Sequence, residues 1–352
     1  MGRTRVTLAD VAAASGVSVT TASLVLTGRA RELRISEAAE RRVRSTAQEL
    51  GYRRNSALAA SPRTGRSQTI GFVSDTVASS GLAGDMVRGA VDAAYQHGFM
   101  LFVGESGGDQ VIERALVESM RDRRADGIIF AAMHTRAIVV PEGVNDGPAV
   151  LLNATAWTRS GAPSVVPDEL QAGRSAALVL VEAGHEHGVH LIGAGPGAYD
   201  VPPNSIAAVE RLLGLRDVFT AAGVEVVSAH RCPKWTPEHG YDATRDLLRH
   251  HLPKALVCFN DRLAFGAYQA LAEAGLSVPD DVSVIGFDDH PVASWMRPRL
   301  TTIALPHHEL GAQAVKVLVD MVERRGRDAR APMVHRVPMP VREGGSVAPP
   351  RG

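Results

Sequence analysis

The sequence predicts an all-α helix-turn-helix head joined by a hinge to an α/β body of two doubly wound lobes. Three observations carry that prediction. Residues 5–55 show helical spacing interrupted by glycine turns. Residues 55–68, "NSALAASPRTGRSQ", hold nothing that would fill a core. From Thr69 onward, short β-rich runs alternate with helix-length amphipathic segments, the pattern of parallel sheets covered by helices on both faces. The boundaries drawn from this are a head over 1–54, a hinge over 55–68, a body over 69–343 and a disordered tail over 344–352.

In the head, Thr7 precedes "LADVAAA" and Asp10 follows three residues later, an N-cap with a capping-box acid. Leu8, Val11 and Ala12 recur at i, i+3, i+4. Ser15-Gly16-Val17 is a turn, and Ser18 caps a second helix carrying Val19, Ala22, Val25 and Leu26. Ser36 caps a third, with Val43, Ala47 and Leu50 on one face and Gly51 at its end.

In the body, "TIGFVSD", "FMLFVGES", "ADGIIFAA", "AVLLNAT", "GVHLIGAG", "EVVSAH", "ALVCFND" and "SVIGFDD" read as strands. Residues 84–97, 111–123, 170–184, 207–222, 238–250 and 262–274 read as the helices between them. So many strands imply two sheets. The tail, "GGSVAPPRG", has the composition of a disordered segment.

Composition narrows the function classes. The chain has 352 residues and a net charge of zero, but residues 1–66 hold 12 Lys+Arg against 5 Asp+Glu, a balance of +7 offset by −7 in the remainder. A basic head on an acidic body points to a polyanion partner for the head alone. Cys232 and Cys258 are the only cysteines, too few and too far apart for a disulfide framework or a zinc site. No apolar run reaches the roughly eighteen residues of a membrane span, and "MGRTRVTLAD" has no signal-peptide core.

A helix, a glycine turn and a second helix at the basic end match the geometry that lays a second helix in the DNA major groove. Thr20, Thr21 and Ser23 can exchange hydrogen bonds with base edges, and Val19 and Ala22 can meet thymine methyls. Arg29, Arg31, Arg34, Arg53 and Arg54 are candidates for phosphates. A plain helical hairpin is the competing reading.

Two other motifs have bland readings. In "GVHLIGAGPGAYD", Gly193, Gly195 and Gly197 resemble a dinucleotide loop, but Pro202 and Pro203 follow where a helix must start. His185, His187 and His190 lie close together where Gly184 and Gly188 break any helix, and read as a solvated turn rather than a metal site. The oxidoreductase alternative rests on the glycine loop alone.

The segments "VTLADVAAASGVSVTTASLVLTG…ISEAAERRVRSTAQELGYRRN", "RTGRSQTIGFVSD", "RLLGLRDVFTAAGV", "WTPEHGYDATRDLL", "ALVCFNDRLAFGAYQALAEAGLSVPDDVSVIGFDD" and "PRLTTIALPHHELGAQAVKVLV" occur in this order. Together they resemble the lactose-repressor (LacI) family of bacterial transcription regulators over about residues 5–343. The resemblance implies a periplasmic sugar-binding-protein-like body and a cytoplasmic homodimer. It implies double-stranded operator DNA and a small-molecule effector, a sugar or sugar derivative, as partners, with no cofactor, no membrane and no catalytic activity. The other alternative is a sugar-binding protein with a degenerate head.

The resemblance also assigns residues. Thr7, Ser18, Thr27, Tyr52 and Asn55 join Val19, Thr20, Thr21, Ser23 and Arg29 on the DNA side. Leu24 stands where many relatives place a guanine-reading arginine, so one contact of about 1–3 kcal/mol is absent. The hinge is one residue longer than usual, leaving Leu58 or Pro62 as the minor-groove wedge. For the effector, Arg211, Asp261 and Trp235 match ligand-binding positions, and Asp75, Ser79, Ser80, Asn153, Asp168 and Asp288 are secondary. The helix from His308 to Val322 is expected near the dimer or lobe interface.

Overall fold

A computed structural model of the chain describes residues 6–26, 28–30, 35–52, 66–81, 83–158, 160–195, 197, 200–324 and 334–351. It divides into two units, Met1–Ser67 and Gln68–Gly352.

The first unit contains α1 (Leu8–Ser15), α2 (Val19–Leu26) and α3 (Glu37–Glu49). Thr7 caps α1 reciprocally: its hydroxyl accepts from the Asp10 backbone N–H, and the Asp10 carboxylate accepts from the Thr7 N–H at 2.7 Å. Gly16 takes φ 67°, the left-handed conformation that ends α1. The chain then bends by 104° into α2, within the range of a helix-turn-helix. Val11, Ala12, Ala22, Val25, Ala30, Val43 and Ala47 form the core. Val19 and Leu50, expected on apolar faces, are instead exposed at 49% and 40%. The helices are short, and only two positions of α2, Ala22 and Val25, are buried.

The second unit holds two six-stranded sheets. The first runs β11-β5-β4-β3-β1-β2, from β1 (Thr69–Ser74), β2 (Met100–Glu105), β3 (Gly127–Ile138), β4 (Ala149–Ala156), β5 (Ser164–Pro167) and β11 (Val334–Val337). With α4 (Gly84–Gln96), α5 (Gln110–Asp122) and α11 (His307–Glu323) it makes the N-terminal lobe. The second runs β12-β10-β9-β8-β6-β7, from β6 (Val189–Gly193), β7 (Val226–Arg231), β8 (Ala255–Cys258), β9 (Ser283–Asp288), β10 (Thr301–Ala304) and β12 (Val341–Arg342). With α6 (Glu169–Glu182), α7 (Ile206–Ala222), α8 (Pro237–Leu248), α9 (Asp261–Glu273) and α10 (Pro291–Trp295) it makes the C-terminal lobe. Every strand pairing is parallel except β10 with β12. Inner strands such as β1 and β8 are buried at every position, as sheets covered on both faces require.

The chain passes between lobes three times: from β5 to α6, from β10 to α11, and from β11 to β12. Neither lobe is therefore one continuous segment. Helix α11 lies against α4, β3 and β4 in the N-terminal lobe, directly after the second passage.

Neighbouring helices meet through glycines. A Cβ on Gly173 of α6 would stand 2.2 Å from the Arg211 carbonyl oxygen of α7, and one on Gly214 of α7 would stand 2.1 Å from that of Leu170. The pairs α4/α11 (Gly89, Gly311) and α8/α9 (Gly240, Gly266) repeat the arrangement.

Two expectations are corrected. Strands β5, β10, β11 and β12 lie outside the strands read from the sequence; each has four residues or fewer, and none sits in a longer apolar run like the one that marks β8. The tail is ordered over its described part. Ser346 is fully buried; its hydroxyl accepts from the Thr301 N–H and donates to the Val284 carbonyl. The Ala348 N–H donates to Ser283 Oγ, and Lys254 Nζ donates to the Arg351 carbonyl. Tertiary hydrogen bonds override a composition that carries no local preference. No single helix among the described residues is long and apolar enough to cross a membrane.

Candidate functional site

A cleft of about 440 Å³ opens between the lobes of the body, a size suited to a small organic ligand. The N-terminal lobe supplies Met133, His134, Thr135, Arg136 and Asn153. The C-terminal lobe supplies Glu169, Arg211, Trp235, Asn260 and Asp288, among others. A second cavity, about 540 Å³, is lined by the passages at 304–309 and 337–342 and shares Asp288, Leu305 and His307 with the first. Of these two, only the first has a tryptophan in its described lining.

Arg211 is the fixed point of the C-terminal wall. It is 2% exposed. Its Nε donates to Glu169 Oε2 at 2.6 Å, and Nη2 donates to Glu169 Oε1 at 3.1 Å and Asp288 Oδ1 at 3.0 Å. Nη1 donates to the Phe259 carbonyl at 2.6 Å. The guanidinium stacks 4.6 Å from the Phe287 ring centroid and 5.9 Å from that of Trp235. Burial disfavours its charge, but the two carboxylates outweigh burial and raise its pKa. Burial likewise pushes Glu169 above the usual carboxylate range, against the pull of Arg211. Glu169 was missed at the sequence level: an acid one residue after an N-cap reads as an ordinary helix start.

Trp235 lines the cleft, anchored by its Nε1–H to the Gly193 carbonyl at 3.0 Å and packed edge-on to Phe259. Asp288 also lines it, at φ 103°. Asp261 departs from expectation. It is fully buried and absent from the cleft wall. Its Oδ1 accepts from the Thr302 hydroxyl at 2.7 Å, and Oδ2 accepts from the His290 N–H at 2.7 Å. As the first residue of α9 it turns under β9 and β10, and the N-cap Asn260 takes its place in the wall. Burial, then the nearby Asp288, raises the Asp261 pKa well above the usual carboxylate range.

The N-terminal wall is built around Asn153, 1% exposed and at φ 55°. Its Nδ2 donates to the carbonyls of Ala132 and Met133, and its Oδ1 accepts from the Thr135 hydroxyl at 2.5 Å. Asp75 stands behind the wall. It accepts from the N–H groups of Thr76 and Met133 and pairs with Arg136 Nη2 at 2.8 Å. Neither Ser79 nor Ser80 lines the cleft; the Ser79 N–H donates to Glu105, and Ser80 Oγ accepts from the Ala83 N–H. Asp168 caps α6 and reaches Arg336 at 3.9 Å, also outside the cleft.

The histidines expected in a solvated turn separate. His187 is exposed, but His185 and His190 are buried. His185 Nε2 bonds with Ser283 Oγ and the Ala348 carbonyl, and His190 Nδ1 with Ser228 Oγ. After Gly193 and Gly195, the next helix begins only at Ile206. No helix N-terminus follows where a dinucleotide loop needs one.

On the head, Val19 and Thr20 are exposed at the start of α2, and Arg29 is exposed beyond its end. Ser18 Oγ accepts from the Thr21 N–H and shares a hydrogen bond with the Thr21 hydroxyl at 2.8 Å. Ser23 and Leu24 are half-buried, and Leu24 is not among the described residues packed on the head core. Tyr52 packs on that core. Thr27, Asn55, Leu58, Pro62, Arg31, Arg34, Arg53 and Arg54 lie outside the described residues.

Residues 7–55 match the model of bacterial regulatory proteins of the lacI family, and residues 67–340 match periplasmic binding proteins and the sugar binding domain of the LacI family. The chain belongs to the LacI family. It is 32% identical to the ribose operon repressor of Escherichia coli K12, over 90% of this chain and 93% of that one. It is 28% identical to catabolite control protein A of Priestia megaterium, over 92% and 95%. Among solved structures, the lac repressor dimer bound to operator and the anti-inducer ONPF aligns with a TM-score of 0.78 at 25% identity, over 98% of this chain and all of that one. The helix-turn-helix bend and the two-lobed body are thus family features here.

Proposed function

We propose that this LacI-family protein is a cytoplasmic, homodimeric repressor of carbohydrate-related genes. It grips a near-palindromic operator through paired heads and answers to a sugar-type effector. It acts by binding, not by catalysis. The observation that carries the reading is the cleft, lined from both lobes around three chain passages. A ligand there touches both lobes at once, so it binds their closed arrangement differently from the open one. Such differential binding is what couples a ligand to distant DNA affinity.

On the head, Val19, Thr20 and Ser23 present to base edges, and Arg29 presents to phosphate. Thr7, Ser18, Thr21 and Tyr52 hold the helices that present them. Leu24 offers a methyl contact in place of a guanine-reading arginine. Thr27, Asn55 and a wedge at Leu58 or Pro62 belong to the same interface. In the cleft, Trp235 is the stacking platform. Asp288 and Asn153 define the two walls, and Arg211 holds the C-terminal wall in place.

The test is a selection of genomic fragments on the full-length protein, followed by titration of selected fragments with sugars present. Salt-sensitive retention of a two-fold-symmetric site, with affinity altered by a cleft ligand, is the expected result. If no fragment is retained above random DNA, the regulator reading fails.

A further inference from the structure

The charge of the cleft goes further than its size. Four cations line it, Arg136, Arg211, Lys234 and Arg262, against two carboxylates, Glu169 and Asp288. Both carboxylates are already engaged. Glu169 gives both oxygens to Arg211, and Asp288 gives Oδ1 to it. Asp75 neutralises Arg136 from behind the wall. Lys234 and Arg262 remain, and neither has an ion-pair partner among the described residues. The lining therefore carries a surplus of positive charge, with Asp288 Oδ2 the one carboxylate oxygen of the cleft not bonded to Arg211.

The two free cations are held near each other by the fold. Lys234 precedes Trp235 in the loop after β7, and Arg262 is the second residue of α9. Asn260 Nδ2 donates to the Trp235 carbonyl at 3.2 Å, tying that loop to the start of α9. A cation in the first turn of a helix is repelled by the helix dipole, where an acid is favoured. Arg262 thus runs against local preference at a position facing the cleft, a conflict that a functional site explains. On the opposite lobe burial lowers the His134 pKa, with Arg136 and Arg262 acting in the same direction and Asp75 and Asp288 against it.

We infer that the effector is an anion of sugar size. Its phosphate or carboxylate is held by Lys234 and Arg262, and its ring lies on Trp235. This rests on the cleft being the effector site.

The experiment uses the full-length protein at low ionic strength, with chloride-matched controls. Calorimetric titration and thermal shift compare ribose with ribose 5-phosphate, and glucose with glucose 6-phosphate and gluconate, alongside inorganic phosphate. At least one anion binds about tenfold or more tightly than its neutral partner, and loses that advantage in high salt. K234A and R262A each weaken the anion about tenfold, and K234R/R262K retains most of the affinity. Preference for the phosphate esters over gluconate identifies a phosphoryl group; the reverse identifies a carboxylate. The inference is overturned if a neutral sugar binds as tightly as its anion, if K234A/R262A binds the anion unchanged, or if no anion binds. The underlying site reading has its own readout. A neutral sugar whose binding is abolished by Trp235→Ala leaves the effector cleft standing while the anion falls; binding indifferent to Trp235→Ala removes both.

Discussion

The two walls of the cleft are stiffened by different chemistry. The C-terminal wall is an ionic lock in which a buried arginine is clamped by two carboxylates and flanked by two aromatic rings. The N-terminal wall is centred on a neutral strap, in which one asparagine side chain ties down two backbone carbonyls and a threonine, with the Asp75–Arg136 pair behind it. An ionic lock fails abruptly when one member is lost, because the other is left charged and dry. A neutral strap loses less, about 1–3 kcal/mol for a buried group left unsatisfied. The C-terminal wall is therefore the costlier of the two to break.

The largest effect should come from breaking the lock. Arg211→Ala leaves the fully buried Glu169 without its cation, a loss of about 3–5 kcal/mol of stability measured by urea unfolding. Arg211→Lys should restore little, since an ammonium cannot match a bidentate clamp. A loss below about 1 kcal/mol would remove the contrast between the walls.

The strap should break more gently. Asn153→Ala removes the side chain's hydrogen bonds at a left-handed backbone position, and about 1–3 kcal/mol is expected on the same scale. If this variant proves as damaging as Arg211→Ala, the N-terminal wall is no softer than the other.

A further effect shows only in acid and should begin in the C-terminal lobe. Burial, aided by His251 and His230, lowers the His190 pKa to about 4. The unfolded chain then binds the extra proton first, so stability is full above about pH 6.5 and falls as pH drops towards 4. Burial shifts His185 and His230 the same way, opposed at His230 by Asp246 and aided there by His251 and His250. His190→Gln should flatten the slope of unfolding free energy between pH 6.5 and 4; an unchanged slope would assign acid sensitivity elsewhere.

Much of this was legible in the sequence, and the exceptions have physical causes. The long helices and inner strands announce themselves because their burial is periodic or continuous. β10 and β12 acquire their order from tertiary partners: β10 pairs with β9 and β12, and the tail's Ser346 accepts from the Thr301 N–H. In the site, Arg211, Trp235, Asn153 and Asp288 were readable and do meet at the cleft. Glu169 was not, because nothing local tells a buried helix-start acid from a solvated one. Asp261 was misplaced for the converse reason. The one-residue offset from Asn260 is a rotation of about 100° around a helix, and only the β9–β10 packing decides which of the two faces the cleft. On the head, the capping box and glycine turn gave the bend, while the exposure of Val19 depends on how little core three short helices enclose.

The glycine contacts between helices have a further consequence. Gly173 lies against the carbonyl of Arg211 itself, and Gly214 against that of Leu170, beside Glu169. The gauge between the two halves of the lock is therefore backbone on backbone, with no side chain interposed whose rotamer could drift. The C-terminal lobe behaves as a fixed chassis, on which rim residues such as Lys234 and Arg262 can be exchanged without disturbing the frame. Retargeting this protein to a new ligand is thus a matter of repainting the rim.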